Sequence, residues 1–248
     1  GGSGNLKGGV RMTVNDKERR VHAVFENIAP LYDRMNDVIS LRRHKAWREY
    51  TMRKMDMRSG QSAVDVCCGT CDWAIAMAKA SGTGEIVGVD FSRRMLEVAR
   101  AKIEREGLAG RITLIEGNAM ALPFEDNRFD FATIGFGLRN VPDLDAVLRE
   151  MVRVVKPGGK VVSLDASKPT KEPFRTGHAI YFGRLLPLLG KWFAKSYEQY
   201  KWLPESLAEF PDRLELEERF RRAGLRNVES KAFMMGAAAM HIGTKVDS

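Results

Sequence analysis

The 248-residue sequence has no apolar run that reaches the roughly 18 residues a bilayer-spanning helix needs, and no secretory signal opens it. Cysteine is scarce: Cys67, Cys68 and Cys71 fall within five positions, too close together to staple a fold. A reducing, cytoplasmic setting is therefore expected. The four histidines are scattered and the clustered thiols lack a second pair of ligands, so no metal site is expected. Repeats are absent, and low complexity is confined to the opening GGSGNLKGGVR. Residues 1–11 read as a flexible linker remnant with Met12 as the natural start, leaving 12–248 as a single domain.

What is present is ordinary globular material: 44% hydrophobic and 29% charged residues exclude global disorder. The formal charge is +8, and setting aside Lys7 and Arg11 leaves +6. A basic balance favours anionic partners, whether nucleic acid, lipid surface or acidic small molecule, without choosing among them.

Along the chain, Val21, Val24, Phe25 and Ile28 recur at helical spacing before Pro30, and a second helical stretch covers residues 44–57. These form an N-terminal helical cap over 15–57. From residue 60 short apolar runs alternate with helical segments: AVDVCC, EIVGVD, RITLIEG, FDFATIGF and KVVSLD read as five strands. Ser92 is placed to cap the helix bearing Met95, Leu96, Ala99 and Ile103 on one face, and KPGG stops the helix before the fifth strand. Strands separated by helices of this length imply an α/β fold with a doubly wound, Rossmann-like, mostly parallel sheet. The core covers 60–165, and residues 168–212 stand outside the alternation as a helical, substrate-facing insertion. Over 213–248 a helix precedes a terminal antiparallel pairing.

The first strand-to-helix junction, VDVCCGTCD, lies where doubly wound sheets bind ligands. Only Gly69 of a G-x-G-x-x-G pattern is present, so a pyrophosphate cradle is poorly supported, whereas a ligand without phosphates such as S-adenosylmethionine needs less. Asp65 and Thr70 belong to this junction. Asp90 ends the second strand, where an acid accepts both hydroxyls of a ribose. Asn118 and Ala119 follow the third strand, where an amide and a backbone N–H read an adenine edge. Plainer readings exist: Asp90 as a loop acid, Thr70 as a helix cap, Asn118 as a turn residue. Their occurrence in order at successive strand tips favours a ligand site, and with KPGG they resemble the motifs of class I methyltransferases over residues 60–165.

Cys71 stands where such enzymes commonly carry glycine. A positive φ on a side-chain-bearing residue costs about 1 kcal/mol or more, so an ordinary negative φ is expected there. Cys68-Gly69-Thr70-Cys71 is also a C-x-x-C, which makes a dithiol oxidoreductase the rival from another enzyme class. That reading leaves Asp90, Asn118 and the insertion unexplained. Buried packing is the plain reading of the cysteines.

After the fourth strand the sequence reads TIGFGLRNV, without the Pro-Pro of many base-amine methyltransferases. YDRMNDVISLRRHKAW (32–47), FGLRNV (136–141) and RVVKPGGKVVSLDAS (153–167) closely resemble the signatures of the family that C-methylates demethylmenaquinol and the corresponding ubiquinone precursor, the UbiE/MenG type. The resemblance extends over nearly the whole chain after residue 11, and DVCCGT looks more like the menaquinone branch. Asp165 stands where some relatives carry Glu.

The resemblance implies transfer of a sulfonium methyl group to a ring carbon beside a quinol hydroxyl. The ring becomes a carbon nucleophile when that hydroxyl loses its proton, so a base or a cation facing the phenolate is required. Arg139 and Asn140 are the candidates to hold the quinol oxygen, Arg139 by stabilising phenolate; Tyr32 and His44 are placed to close over the acceptor. The plainer readings are that Arg139 pairs with a strand-end acid and that His44 packs in a helix. Within the insertion, HAIYFGRLLPLLGKWFAKSYEQYKWL mixes Tyr181, Phe182, Leu185, Leu186, Leu188, Leu189, Trp192 and Phe193 with Arg184, Lys191 and Lys195, the composition of an interfacial element. The expected partners are a prenylated quinol and an anionic membrane surface at the inner face of the plasma membrane, without nucleic acid; a homodimer is compatible with the sequence. A benzoquinol acceptor is the alternative within the family, and an RNA-binding methyltransferase the alternative outside it.

Overall fold

The computed structural model describes residues 13–40, 42–188 and 197–247. Residues 1–12, and Leu189, Lys191, Trp192, Phe193 and Lys195 of the interfacial segment, lie outside the described residues.

Strands β1 (Ala63–Val66), β2 (Ile86–Asp90), β3 (Ile112–Glu116), β4 (Phe129–Gly135) and β5 (Val155–Ala166) run parallel in the spatial order β3-β2-β1-β4-β5. Beyond β5, β7 (Ala238–Lys245) inserts antiparallel and pairs on its other side with β6 (Leu225–Phe233). The doubly wound, mostly parallel sheet with an antiparallel C-terminal strand expected from the alternation is what forms. All residues of β1 and β2 are buried, which is why they read as continuous apolar runs rather than alternating ones. Strand order reverses between β1 and β4, so the carboxyl ends of these strands diverge and leave room for a ligand.

The N-terminal cap is α1 (Val14–Ile28), α2 (Tyr32–Ile39) and α3 (His44–Met55). The last is shorter than the expected 44–57 because Asp56 turns into the left-handed region, φ 49, and its N–H closes onto the Met52 and Arg53 carbonyls. Helices α4 (Asp72–Ser81) and α5 (Arg93–Arg105) cover one face of the sheet through Trp73, Met77, Leu96 and Ile103. The other face is covered by α6 (Leu144–Val154) and α9 (Arg213–Arg222), which bury Leu148, Met151 and Phe220. Capping follows the sequence: the Ser92 hydroxyl accepts from Met95 N–H at 3.2 Å, with Met95, Leu96, Ala99 and Ile103 all buried, and Asp143 caps α6. KPGG does more than stop α6. Phe129 faces Val155 but Phe131 faces Lys160, so residues 156–159 bulge out of the β4–β5 ladder.

The insertion contributes α7 (Phe174–Ile180), a π-helical turn over Tyr181–Leu185, and α8 (Tyr197–Glu209). Among the described residues no helix is long and apolar enough to cross a membrane.

Candidate active site

A cavity of about 550 Å³ opens at the carboxyl ends of β1 to β4. Its base is built by close approach of backbone. The loop after β1 runs through positive φ at Cys67 (54°), Gly69 (54°) and Cys71 (72°), and the tip of β4 passes against it. A Cβ on Gly137 would lie 2.6 Å from the Cβ of Cys67, so only glycine fits there. Cys71 thus takes the left-handed conformation, contrary to the negative φ expected. As the fully buried N-cap position of α4 it is held there by core packing, against a local cost of about 1 kcal/mol or more.

Asp90 ties the first two strand tips together. One carboxylate oxygen accepts from Gly69 N–H at 2.9 Å and the other from Ser92 N–H at 2.8 Å. Burial pushes its pKa up to about 6 against these hydrogen bonds. At the β3 tip the Asn118 side-chain oxygen accepts from Met120 N–H at 2.9 Å, which fixes the turn and leaves the amide nitrogen as the other end of the group. Asn140 follows β4 and is held from both sides: its amide donates to the Phe136 carbonyl at 3.2 Å, and its oxygen accepts from Trp202 Nε1 of α8 at 2.6 Å.

Gly69, Asp90, Asn118, Ala119 and Asn140 share the wall of this one cavity. Asp65 and Thr70 do not reach it. Asp65 is buried within β1, accepts from the Thr133 hydroxyl at 2.8 Å, and has its pKa pushed up to about 8 by desolvation. Thr70 donates to Asp33 of α2 at 2.6 Å, in a network where Lys102 also binds Asp33 at 2.8 Å and Asp72. This network anchors α2 and its neighbouring helices rather than capping α4.

Arg139 requires a larger correction. Its Nη1 donates to Asp165 at 2.6 Å, its backbone N–H to the other oxygen of the same carboxylate at 3.1 Å, and its Nε to Ser206 at 2.8 Å. Both side chains of this ion pair are buried. The guanidinium compensates a buried anion, and Arg139 is not among the residues lining the cavity. The strand-end pairing is what the structure shows. His44 likewise stays outside the cavity wall: Nδ1 lies 2.8 Å from the Ser40 hydroxyl, Nε2 3.5 Å from Asp37, and burial lowers its pKa. The side chain of Tyr32 lies outside the described residues.

Sequence reasoning missed the roof. Glu18, Val21, His22 and Phe25 of α1 line the cavity, and the helix is tied down where Ser92 donates to Glu26 at 2.6 Å and where His22 packs on Phe91 at 5.3 Å between ring centroids. Their i, i+3, i+4, i+7 spacing was a readable signal of a packed face, though not of what it faces. Trp202 was missed for a different reason, since its hydrogen-bond partner lies 62 positions away.

The cavity suits a cationic nucleoside. Its size falls within the roughly 300–1,000 Å³ of small-ligand sites. Its ionisable lining is Glu18, His22, Cys67, Asp90 and Glu116, and among the described residues no lysine or arginine lines it, in a chain whose net charge is +8. Such a wall attracts a positive sulfonium and disfavours phosphate. The dithiol alternative is disfavoured by burial: Cys68 and Cys71 are free and buried, and the Cys68 pKa is raised well above the usual thiol value by its contact with Cys71 and by burial. An inert thiol results, where a redox motif needs an accessible thiolate. No three His, Cys, Asp or Glu side chains among the described residues come together as a metal set.

A family model described as the ubiE/COQ5 methyltransferase family matches residues 12–245. The demethylmenaquinone methyltransferase of Bacillus cereus is 57% identical over 233 residues, covering 94% of this chain and 98% of that protein. The Bacillus anthracis protein of the same name matches to the same extent. Among solved structures, the complex of the Haloferax volcanii Trm112 methyltransferase activator with a methyltransferase aligns at TM-score 0.66 with 18% identity, over 90% of this chain and 98% of that one. A SAM-dependent methyltransferase from Thermotoga maritima aligns at 0.63 with 20% identity, over 91% and 99%. These two similarities concern the fold.

Proposed function

The chain belongs to the ubiE/COQ5 methyltransferase family, and from that premise we propose that it methylates a ring carbon of demethylmenaquinol, with S-adenosylmethionine as donor, to give menaquinol. The observation that carries the reading is the acid-lined, lysine- and arginine-free cavity at the strand tips, combined with relatives at 57% identity that bear this activity's name. S-adenosylmethionine, when bound, supplies an electrophilic methyl group on a positively charged sulfur.

The residues present fit that group. Asp90, already oriented by the Gly69 and Ser92 N–H groups, offers its remaining lone pairs to the ribose hydroxyls. Gly69 lets backbone approach closely, and Asn118 with Ala119 reads the adenine edge from a turn fixed by Met120 N–H. Val21 and Phe25 of α1 exclude water from above. Asn140, clamped between Phe136 and Trp202, presents a fixed carboxamide to the acceptor side, and its second amide hydrogen is the group we assign to the quinol oxygen. With donor and quinol bound, the hydroxyl proton would leave to solvent, and the ring carbon beside it would take the methyl group as the C–S bond breaks with its electrons on sulfur. Loss of the ring hydrogen as a proton, with reprotonation of the oxygen, would restore the quinol; Asn140 would hold that oxygen throughout. The acceptor is a lipid, which supports work at the inner membrane surface.

The test is to incubate the purified protein with methyl-labelled S-adenosylmethionine and, separately, reduced demethylmenaquinone, a ubiquinone-precursor benzoquinol and total RNA. Label entering the naphthoquinol ahead of the other two is the expected result. Label entering RNA, or none of the three, would overturn the reading, and preference for benzoquinol would move it to the other branch of the family.

A further inference from the structure

Away from the cavity, the exposed large apolar side chains are unevenly distributed. Of the eight among the described residues, four lie on α7 and the segment after it (Phe174, Ile180, Leu185 and Leu188), and two are Met234 and Met235 in the turn between β6 and β7. The methionine turn sits beside the root of the insertion, at the carboxyl end of β5. Ala166 at the end of β5 pairs with Ala238 at the start of β7, and Ser167 N–H donates to the Ala237 carbonyl at 2.9 Å. A Cβ on Gly236 would lie 3.0 Å from the Cα of Pro169, so the methionine turn packs directly on the root of the insertion. Both methionines are held at positive φ, 46° and 57°, a conformation that costs about 1 kcal/mol or more per residue for an L side chain and that serves here to display thioether side chains to solvent.

The same surface carries cations. A shallow groove of about 570 Å³ runs along α7, lined by Glu172, Arg175, Thr176, Ala179, Ile180 and Arg184. Glu172 is occupied by Thr176, whose hydroxyl donates to it at 2.7 Å. Arg175 and Arg184 have no acidic partner among the described residues, as is true of several other surface arginines of this basic chain. Two unpaired guanidinium groups flank an exposed isoleucine, with further apolar side chains alongside. The combination matches an interfacial surface: fixed cations at the depth of lipid phosphates and apolar groups entering the acyl boundary. Cations beside apolar side chains also occur in protein interfaces; the lipid acceptor of the proposed reaction is what favours a bilayer as the occupant.

We propose that the α7 surface and the Met234–Met235 turn form one docking face for a bilayer carrying anionic headgroups. This extends the lipid-quinol reading, on which it rests for its purpose, by naming the surface that meets the membrane and by adding the methionine turn, which lies outside the insertion. Docked this way, the chain meets the bilayer with the same end of the sheet that carries the cavity.

Flotation with phosphatidylglycerol-containing vesicles at low salt, against pure phosphatidylcholine, tests the face. The protein is expected to float with the anionic vesicles only. The double variant R175E/R184E, which reverses two charges, is expected to lose at least about thirtyfold in vesicle affinity. Met235→Gly, which suits the positive φ and so does not threaten folding, is expected to lose about threefold to tenfold. Turnover of a short-tailed, water-soluble quinol should be unchanged in both variants. The proposal is overturned if the wild-type chain does not float, if both variants float like wild type, or if R175E/R184E instead abolishes a self-association in the absence of vesicle binding, which would assign the face to a second copy of the chain. Failure of the wild-type chain to turn over the short-tailed quinol would count against the proposed reaction and leave the flotation result to decide the docking face.

Discussion

The indole Nε1 of Trp202 donates a 2.6 Å hydrogen bond to the side-chain oxygen of Asn140. Through it α8 of the insertion grips a residue of the cavity wall, while Arg20 of α1 lies 4.8 Å from the same indole ring and pairs with Glu205 at 2.5 Å. The roof over the donor side and the segment expected to meet the acceptor therefore share one aromatic side chain.

Trp202→Phe keeps most of the ring and removes the donor. With Asn140 free to turn, kcat/KM for the quinol is expected to fall about tenfold, the worth of one buried hydrogen bond. Calorimetric affinity for S-adenosylmethionine should stay within about twofold. Unchanged quinol kinetics would show that Asn140 does not position the acceptor.

Asp90 has its pKa pushed up to about 6 by burial, so its carboxylate is lost as pH falls through that value. Affinity for S-adenosylmethionine is expected to weaken below about pH 6, by at most about tenfold per pH unit, because a protonated carboxyl has fewer lone pairs for the ribose. Asp90→Asn should bind weakly at every pH and show no such dependence. Titration calorimetry from pH 5 to 8 is the measurement.

Asp65 follows the opposite design, a buried acid not used by the cavity. Its pKa rises from 3.8 to about 8, so the folded chain keeps a proton that the unfolded chain releases between those values. Stability is therefore lost as pH rises across that window. Asp65→Asn preserves acceptance from Thr133 and removes the penalty; it should be more stable than wild type at pH 8 by about 1 kcal/mol or more and flatter from pH 4 to 8 in denaturant titrations.

Arg139→Ala leaves the Asp165 carboxylate buried without its partner and is expected to destabilise the fold by about 3–5 kcal/mol. Arg139→Ala with Asp165→Ala should recover a large part of that loss. A double-mutant cycle by chemical denaturation separates this structural role from a catalytic one: additive losses would mean that the pair is not what holds Arg139.

How much of this could be read in advance depends on how local the cause is. Strand and helix alternation is written in burial runs and caps such as Ser92, and the strand tips follow from it, which is why Gly69, Asp90, Asn118, Ala119 and Asn140 were picked out and lie on one cavity wall. Asp65 and Thr70 belong to the same junction, yet which way a side chain turns at a strand end depends on partners far away, Thr133 and Asp33. Arg139 was misassigned because its partner, Asp165, is 26 positions downstream and carries the opposite charge on the neighbouring strand. Cys71 was misread because local conformational cost was weighed without the core packing that outweighs it. The amphipathic stripe of α1 told that it packs, while the cavity beneath it became visible only in three dimensions.

In the proposed reaction a methyl group leaves sulfur and becomes bonded to a quinol ring carbon. Carbon-13 NMR of the product made with 13C-methyl S-adenosylmethionine and reduced demethylmenaquinone tests it most directly. The expected product carries its label in the aromatic C-methyl region. A label in the methoxy region, or no labelled quinol from folded protein that binds the donor, would contradict it.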